Sequence, residues 1–145
     1  MHSRIHGSCH CANIRFELEW PGDASTIAAR RCGCTFCRKH GGVWTSHHGA
    51  RLGVRIARPA QLSRYEFATG TAEFVVCASC GAVPLVTSTI EDRQYAVVNV
   101  NTFDDFDPAR ITIAPATFDA EDVADRLARR QRHWIADVRI DAGAP

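Results

Sequence analysis

The alternation of apolar and polar residues is clearest just after the first two cysteines. From Ile14 to Trp20 every second residue is large and apolar, and the residues between them are charged. A period of two is typical of a β-strand with one buried face. The pattern therefore predicts a strand here, which ends at Pro21-Gly22 because both residues interrupt regular structure.

Shorter segments of the same kind follow along the chain. They are rich in β-branched and aromatic residues and are bounded by Gly, Pro or polar residues, as strands are. The loop at 68–70 is short enough to join its two flanking segments as a hairpin. The predicted strands lie at 54–56, 62–67, 71–77, 82–89, 95–101 and 111–113.

A single helix is predicted near the C-terminus. Asp119 is a suitable N-cap for a helix from residue 120 to about residue 131. The apolar residues of this segment form only a thin stripe, so we expect the helix to lie on the surface. Trp134-Ile135 then closes the core. The overall prediction is a mainly β (α+β) fold with a C-terminal surface helix.

Composition narrows the class of protein. The chain has 145 residues, 46% hydrophobic and 23% charged, which predicts one soluble globular domain spanning 1–145. A net charge of +1 gives no general attraction to nucleic acid, so that partner is not expected. We expect no membrane partner and a cytoplasmic location, because no apolar run of about 18 residues or secretory signal is visible.

The seven cysteines are the main candidates for chemistry. An odd number of cysteines in tight clusters is unlike a secreted disulfide framework and favours metal binding in a reducing compartment. Thiolates at such spacings are typical zinc ligands. The clusters consist of Cys9 and Cys11, then Cys32, Cys34 and Cys37, and finally Cys77 and Cys80.

Spacing alone leaves more than one division of these thiols. Four cysteines from the outer clusters make a closed zinc site and leave three in an open one. A zinc ribbon built from Cys34, Cys37, Cys77 and Cys80 is an alternative. The three-cysteine site also has an alternative, in which a histidine closes it. The histidines near enough in sequence are His40, His47 and His48.

The order of the motifs resembles one known family. The chain reads G-x-C-x-C from Gly7, then C-x-C-x-x-C-R-K-x-x-G from Cys32, then C-x-x-C-G from Cys77. This order is similar to that of the glutathione-dependent formaldehyde-activating enzyme family, which also includes centromere protein V. The resemblance covers about residues 7–115. It implies bent antiparallel sheets stapled by zinc, of the β-tent type.

The resemblance also implies a division of the metal sites and a reaction. A structural zinc is expected at Cys9, Cys11, Cys77 and Cys80, and a catalytic zinc at Cys32, Cys34 and Cys37, which makes two per chain. The implied enzyme is a carbon–sulfur lyase that joins glutathione to formaldehyde as S-hydroxymethylglutathione. The chain departs from the family at Ala12, where glycine is usual, and in the segment 116–134, which does not align with the usual ending.

The residues around the three-cysteine cluster are candidates for substrate binding. Three thiolates leave zinc with a local charge of −1, which favours a soft thiol as fourth ligand. Cationic neighbours can meet substrate carboxylates, or simply balance the cluster's charge. His40 is a candidate proton shuttle or a surface residue, and Trp44 a pocket wall or a core residue. The predicted substrate-binding residues are Arg31, Arg38, Lys39, His40 and Trp44.

The sequence is compatible with two classes of function. The first is a zinc-dependent enzyme that acts on a small-molecule thiol and an aldehyde. The second is a non-enzymatic, zinc-stabilised binding module, in which the three-cysteine site is closed or inactive.

Overall fold

The computed structural model of the protein describes residues 2–118 and 120–142, and the prediction of a mainly β fold is confirmed. Two α-helices, α1 Thr35–His40 and α2 Val123–His133, accompany the strands, with 3₁₀ turns at Pro59–Gln61, Val100–Thr102 and Pro108–Arg110. The strands of the described residues are β1 His2–Ser8, β2 Ile14–Pro21, β3 Ile27–Cys32, β4 Val43–Thr45, β5 Arg51–Ile56, β6 Leu62–Tyr65, β7 Glu73–Cys77, β8 Leu85–Ile90, β9 Arg93–Asn99, β10 Ile111–Ala116 and β11 Asp137–Ala142.

The smaller sheet has four strands in the order β1-β2-β5-β11. In β2 the predicted alternation is confirmed, since its large apolar residues from Ile14 to Trp20 are all buried. β1 and β5 pair with β2 in antiparallel fashion. The predicted strand at 54–56 is the end of β5.

The larger sheet has seven strands in the order β10-β3-β4-β9-β8-β7-β6. The predicted hairpin around residues 68–70 is confirmed, because β6 and β7 pair in antiparallel fashion on either side of it. Ala68 and Gly70 in this loop both have positive φ, at 54° and 67°. β8 and β9 continue the sheet as a second antiparallel pair.

The prediction of antiparallel sheets is wrong at one edge of each sheet. β10 runs parallel to β3, and β11 runs parallel to β5. Each joins its partner after a long stretch of intervening chain, as a parallel pair requires. A period of two does not reveal strand direction, so the pattern at 111–113 could not show this. Both sheets are mixed, and the β-tent arrangement stays a prediction.

The two sheets share one hydrophobic core. Buried residues of β2 such as Ile14 and Leu18 belong to the same cluster as Leu85 and Val98 of the larger sheet. A second cluster, on the larger sheet, contains Trp44 and is packed against cysteines of the middle cluster.

α2 begins at Val123, three residues later than predicted. The predicted N-cap, Asp119, lies outside the described residues. Asp122 is the N-cap of α2, and its side chain accepts a hydrogen bond from the backbone N–H of Asp125 at 2.8 Å. The helix lies on the surface as expected, with Val123 44% exposed.

The segment after α2 closes the core, as the sequence predicts. Trp134 and Ile135 are both buried. Ile135 exchanges two backbone hydrogen bonds with Ala96 of β9, at 2.9 and 3.0 Å, which fixes the end of α2 against the larger sheet. Neither α-helix of the described residues has the length and apolar character that crossing a lipid bilayer requires.

The turn between β1 and β2 holds Ala12 in the left-handed region, with φ of 64°. The backbone N–H of Ala12 donates to the carbonyl of Cys9 at 3.0 Å, which closes the turn that carries Cys11. A residue with a Cβ atom is strained in this conformation by about 1–2 kcal/mol, whereas glycine adopts it freely. Ala12 is also the position at which the family named above usually has glycine.

We predict that Ala12→Gly raises the free energy of unfolding by up to about 1 kcal/mol. The relieved strain exceeds the extra unfolded-state entropy of glycine, which costs about 0.5–1 kcal/mol. Urea denaturation of both proteins in one buffer measures the difference.

The matched control is Ala109→Gly, since Ala109 is exposed and is not among the residues with positive φ. This variant should lose about 0.5–1 kcal/mol. An Ala12→Gly protein that is no more stable than the wild type contradicts the assignment of strain to this turn.

Candidate metal centres

Four cysteines from two distant parts of the chain converge. Cys9 and Cys11 lie in the turn after β1, while Cys77 ends β7 and Cys80 lies in the turn that follows. Their Sγ atoms all lie within 4.8 Å of one another, with 3.9 Å between Cys9 and Cys11 and 3.5 Å between Cys11 and Cys77. The cluster joins the first hairpin of the smaller sheet to the larger sheet.

Backbone N–H groups point at these sulfurs. The N–H of Ile14 donates to Cys9 Sγ at 3.3 Å, and the N–H of Cys80 donates to Cys77 Sγ at 3.5 Å. Donors of this kind favour the thiolate form. The two turns therefore supply partial positive charge as well as position.

The thiols of this cluster differ in their tendency to ionise. Burial raises the pKa of Cys9 to about 12. Burial also opposes ionisation of Cys80, but backbone N–H donors from Ala82 and Cys11 lower the pKa of Cys80 to about 6. Four such close sulfurs can all be thiolates only if a cation offsets their charge, and a bound metal ion provides that charge.

The three remaining cysteines form a second cluster. Cys32 ends β3, Cys34 is the N-cap of α1, and Cys37 lies inside α1. Their Sγ atoms also lie within 4.8 Å of one another. The chain builds this cluster from a strand end and a short helix. Cys34 and Cys37 are thus separate from Cys77 and Cys80, unlike in the zinc-ribbon alternative.

N–H donors also surround the second cluster. The backbone N–H of Cys37 donates to Cys34 Sγ at 3.3 Å, and Trp44 Nε1–H donates to Cys37 Sγ at 3.4 Å. The hydrogen bond with Cys32 and burial raise the pKa of Cys37. As in the first cluster, full ionisation of these sulfurs requires a cation beside them.

No other Cys, His, Asp or Glu side chain joins the second cluster within the described part of the chain. His47 and His48 are exposed in a loop. His40 packs its ring against Phe36 at 4.5 Å and Trp44 at 5.8 Å between centroids. The histidine-closed alternative therefore has no support among these residues.

Both donor sets suit zinc. With Zn–S bonds of about 2.3 Å, sulfurs at the corners of a tetrahedron stand about 3.8 Å apart. The Sγ–Sγ distances of 3.9 and 3.5 Å in the first cluster are close to this separation. The first cluster offers four ligands and the second offers three, so both can hold a metal ion and the second leaves a coordination position open.

The three-cysteine cluster faces a cavity of about 410 Å³. This volume lies within the range of pockets that bind small molecules. Aromatic rings form much of the wall, with Trp44 and Phe74 from the larger sheet, Phe67 from the β6–β7 loop and Trp134 from the segment after α2. The four-cysteine cluster is not part of this wall.

The wall of the cavity is also strongly cationic. Its charged side chains are Arg30 of β3, the α2 residues Arg126, Arg129 and Arg130, and one carboxylate, Glu121. Burial, followed by the charge of Arg129, lowers the pKa of Arg30. Like charges have been brought together out of water here, an arrangement that favours an anionic ligand.

Arg130 anchors α2 to the larger sheet. It is buried, and its Nη1 donates to the carbonyl and hydroxyl oxygens of Thr71 at 3.1 and 2.9 Å and to Ser88 Oγ at 3.1 Å. Burial lowers the pKa of Arg130 to about 10. These contacts place the other arginines of α2 on the cavity wall.

The predicted substrate residues fall into two groups. Trp44 lines the cavity and is also a buried core residue. Arg31, Arg38 and Lys39 are exposed and do not line this cavity, and neither does His40. Burial lowers the pKa of His40. The role of these four residues in substrate binding stays a prediction.

A close packing contact explains the second glycine after the middle cysteine cluster. A Cβ atom on Gly42 would lie 2.6 Å from the ring of Trp44 and 2.8 Å from that of His40. The glycine of the R-K-x-x-G motif is therefore needed for Trp44 to reach Cys37.

Sequence reasoning missed the cationic wall supplied by the C-terminal segment. The signal was the Arg-rich stretch within 116–134, which was noted only as a departure from the family. Because a helix built of charged residues resembles a solvated surface helix, its inward-facing side was not recognisable.

Comparisons with known proteins agree with the site. The family model described as glutathione-dependent formaldehyde-activating enzyme matches residues 4–120. No curated protein matches the chain.

The solved structure of a Rhodobacter sphaeroides protein is 25% identical in sequence to this chain. The similarity has a TM-score of 0.53 and covers 75% of this chain and 99% of that one. Since the family model spans most of the chain and all seven cysteines, the protein belongs to the glutathione-dependent formaldehyde-activating enzyme family.

Proposed function

We propose that the protein is a zinc-dependent enzyme of the carbon–sulfur lyase type. It joins a thiol, glutathione or a similar compound, to formaldehyde or another small aldehyde. The observation that carries this proposal is the three-cysteine cluster, which lacks a fourth protein ligand among the described residues and faces a cavity of about 410 Å³. A closed structural site has neither feature.

The donor set favours a thiol as the ligand of the open position. Cys32, Cys34 and Cys37 would hold the zinc ion, and a zinc ion with soft thiolate ligands would favour a substrate sulfur over water as its fourth ligand. Such a site is poorly suited to hydrolysis, which depends on a more acidic bound water. The donor set therefore supports thiol chemistry rather than metal-assisted hydrolysis.

The reaction balances without a further reactant. The substrate sulfur forms a bond to the aldehyde carbon, the carbon–oxygen π bond opens, and the thiol proton ends on the new hydroxyl oxygen. Within this scheme the aromatic wall excludes water and orients the aldehyde against the sulfur. Arg30 offsets the negative charge that the substrate sulfur adds beside Cys32.

The charge of the cavity supports a thiol that carries carboxylates. Four arginines and one glutamate line it, so an anionic substrate such as glutathione is attracted and a neutral thiol is not. The aldehyde needs no charged recognition, which agrees with the apolar side of the wall formed by Phe74, Val86 and Val97.

We predict two zinc ions per chain with different roles. Cys77 and Cys37 make a matched pair, since both are buried and each belongs to one cluster. Cys77→Ser should give insoluble or molten protein, because a structural zinc contributes about 10–16 kcal/mol of apparent folding energy in small zinc peptides. Cys37→Ser should keep the fold and one zinc, because three ligands on one short segment tie together little of the chain.

Metal analysis and thermal melting of the three proteins test this prediction. A wild type with one zinc contradicts it. So does a Cys77→Ser protein that melts like the wild type after losing its metal.

We predict that the wild type accelerates formation of the S-hydroxymethyl adduct from glutathione and formaldehyde. The rate must be compared with the reaction without protein, because formaldehyde adds to thiols unaided. Cys37→Ser should return the rate to that baseline while it keeps its fold. If the wild type itself gives only the baseline rate, the enzyme proposal fails and the binding-module alternative gains support.

A further inference from the structure

One ion pair in the cavity wall resembles the contact between an arginine and a bound carboxylate ligand. The Glu121 carboxylate accepts hydrogen bonds from Arg129 Nε at 2.9 Å and Arg129 Nη2 at 3.0 Å. Arg126 Nε lies 3.7 Å from the same carboxylate. A bidentate guanidinium–carboxylate pair is the geometry with which arginine recognises a substrate carboxylate.

Arg126 and Arg129 are both positioned by contacts with Phe118. The Arg129 guanidinium stacks over the ring of Phe118 at 3.6 Å, and Arg126 Nη2 donates to the carbonyl of Phe118 at 3.0 Å. Both arginines are mostly buried, with side-chain exposures of 17% and 16%. A pre-positioned, partly desolvated pair of cations is well suited to bind an anion.

Glu121 lies on a loop, whereas Arg126 and Arg129 lie on α2. This loop is the connection between β10 and α2, where the backbone N–H of Glu121 donates to Phe118 at 3.1 Å. Among the described residues that line the cavity, Glu121 is the only one with a carboxylate. A second carboxylate that entered could replace it without leaving either arginine unpaired, which avoids the cost of a buried lone charge.

We propose that Arg126 and Arg129 form the subsite that binds a carboxylate of the thiol substrate, and that Glu121 is the internal carboxylate which the substrate replaces there. This inference rests on the proposed use of the cavity as a thiol site. α2 and Glu121 lie beyond residue 120, where the family match ends, so the subsite is supplied by this chain's own C-terminal segment.

In this scheme Glu121 and the substrate carboxylate compete for the same two arginines. Glu121 keeps the arginines paired before substrate arrives and lowers the apparent affinity by the strength of its own interaction. Removing its charge should therefore tighten binding of a carboxylate ligand. Removing Arg129 should weaken it, because the ligand loses its bidentate partner.

The test uses S-methylglutathione, which has both carboxylates but no free thiol to reach a metal. Titration calorimetry should show that Glu121→Gln binds it roughly 3–10-fold more tightly than the wild type. Arg129→Gln should bind roughly 10-fold more weakly, since the ligand loses its charged hydrogen bonds to the guanidinium. The dimethyl ester of the same probe should bind weakly to every variant.

The matched control is Arg132→Gln. Arg132 lies on the same helix, is exposed and does not line the cavity, so its loss should leave the affinity unchanged. Equal affinity for the acid and the ester, or no response to Glu121→Gln and Arg129→Gln, overturns the proposal. Absence of any binding of S-methylglutathione to the wild type overturns it as well.

The same probe separates this inference from the proposed function. If the expected binding pattern is found but no adduct forms above the baseline rate, the carboxylate subsite stands and the enzyme proposal fails. If adduct forms while the pattern is missing, the subsite alone is wrong, and Glu121 and Arg129 merely fasten the connection to α2.

Discussion

The convergence of Cys9, Cys11, Cys77 and Cys80 is the constraint on which the rest of the structure depends. Cys11 and Cys77 are 66 residues apart in sequence, yet their sulfurs lie 3.5 Å apart. Sulfurs this close repel one another when ionised, so a cation is needed to turn the cluster into an attraction. With that charge in place, the β1–β2 hairpin is fastened to β7, and the shared core between the two sheets is completed.

The second cluster has a different physical character. All three of its cysteines lie within six residues, so it closes only a small loop and contributes little to the path of the chain. It does define one wall of a cavity, together with Trp44 and the rings of the larger sheet. Under the proposed function, the division of thiols separates stability from chemistry: the long-range cluster would support the fold, and the local cluster would present an open position.

Much of this arrangement follows from the sequence because its signals are local. The alternation in β2, the hairpin at 68–70 and the cysteine spacings each depend on a few neighbouring residues.

Four strands of the described residues, β1, β3, β4 and β11, were not predicted from the sequence. β3 contains Ile27 and Ala29 as its buried residues, but alanine has a low strand propensity and Arg30 and Arg31 follow at once. β11 has only Val138 and Ile140 as half-buried residues, and its pairing partner, β5, is far away in sequence. The cationic wall of α2 depends on tertiary placement through Arg130 and has no local signature.

The central claim is that the three-cysteine site binds a thiol through an open position. Cobalt substitution tests it most directly, because the visible ligand-field spectrum reports the ligands of the metal. The account predicts that glutathione changes the spectrum of the wild type but not that of Cys37→Ser, in which the four-cysteine site alone retains cobalt. A wild-type spectrum that already shows four fixed ligands at both sites, and that glutathione leaves unchanged, would contradict the account.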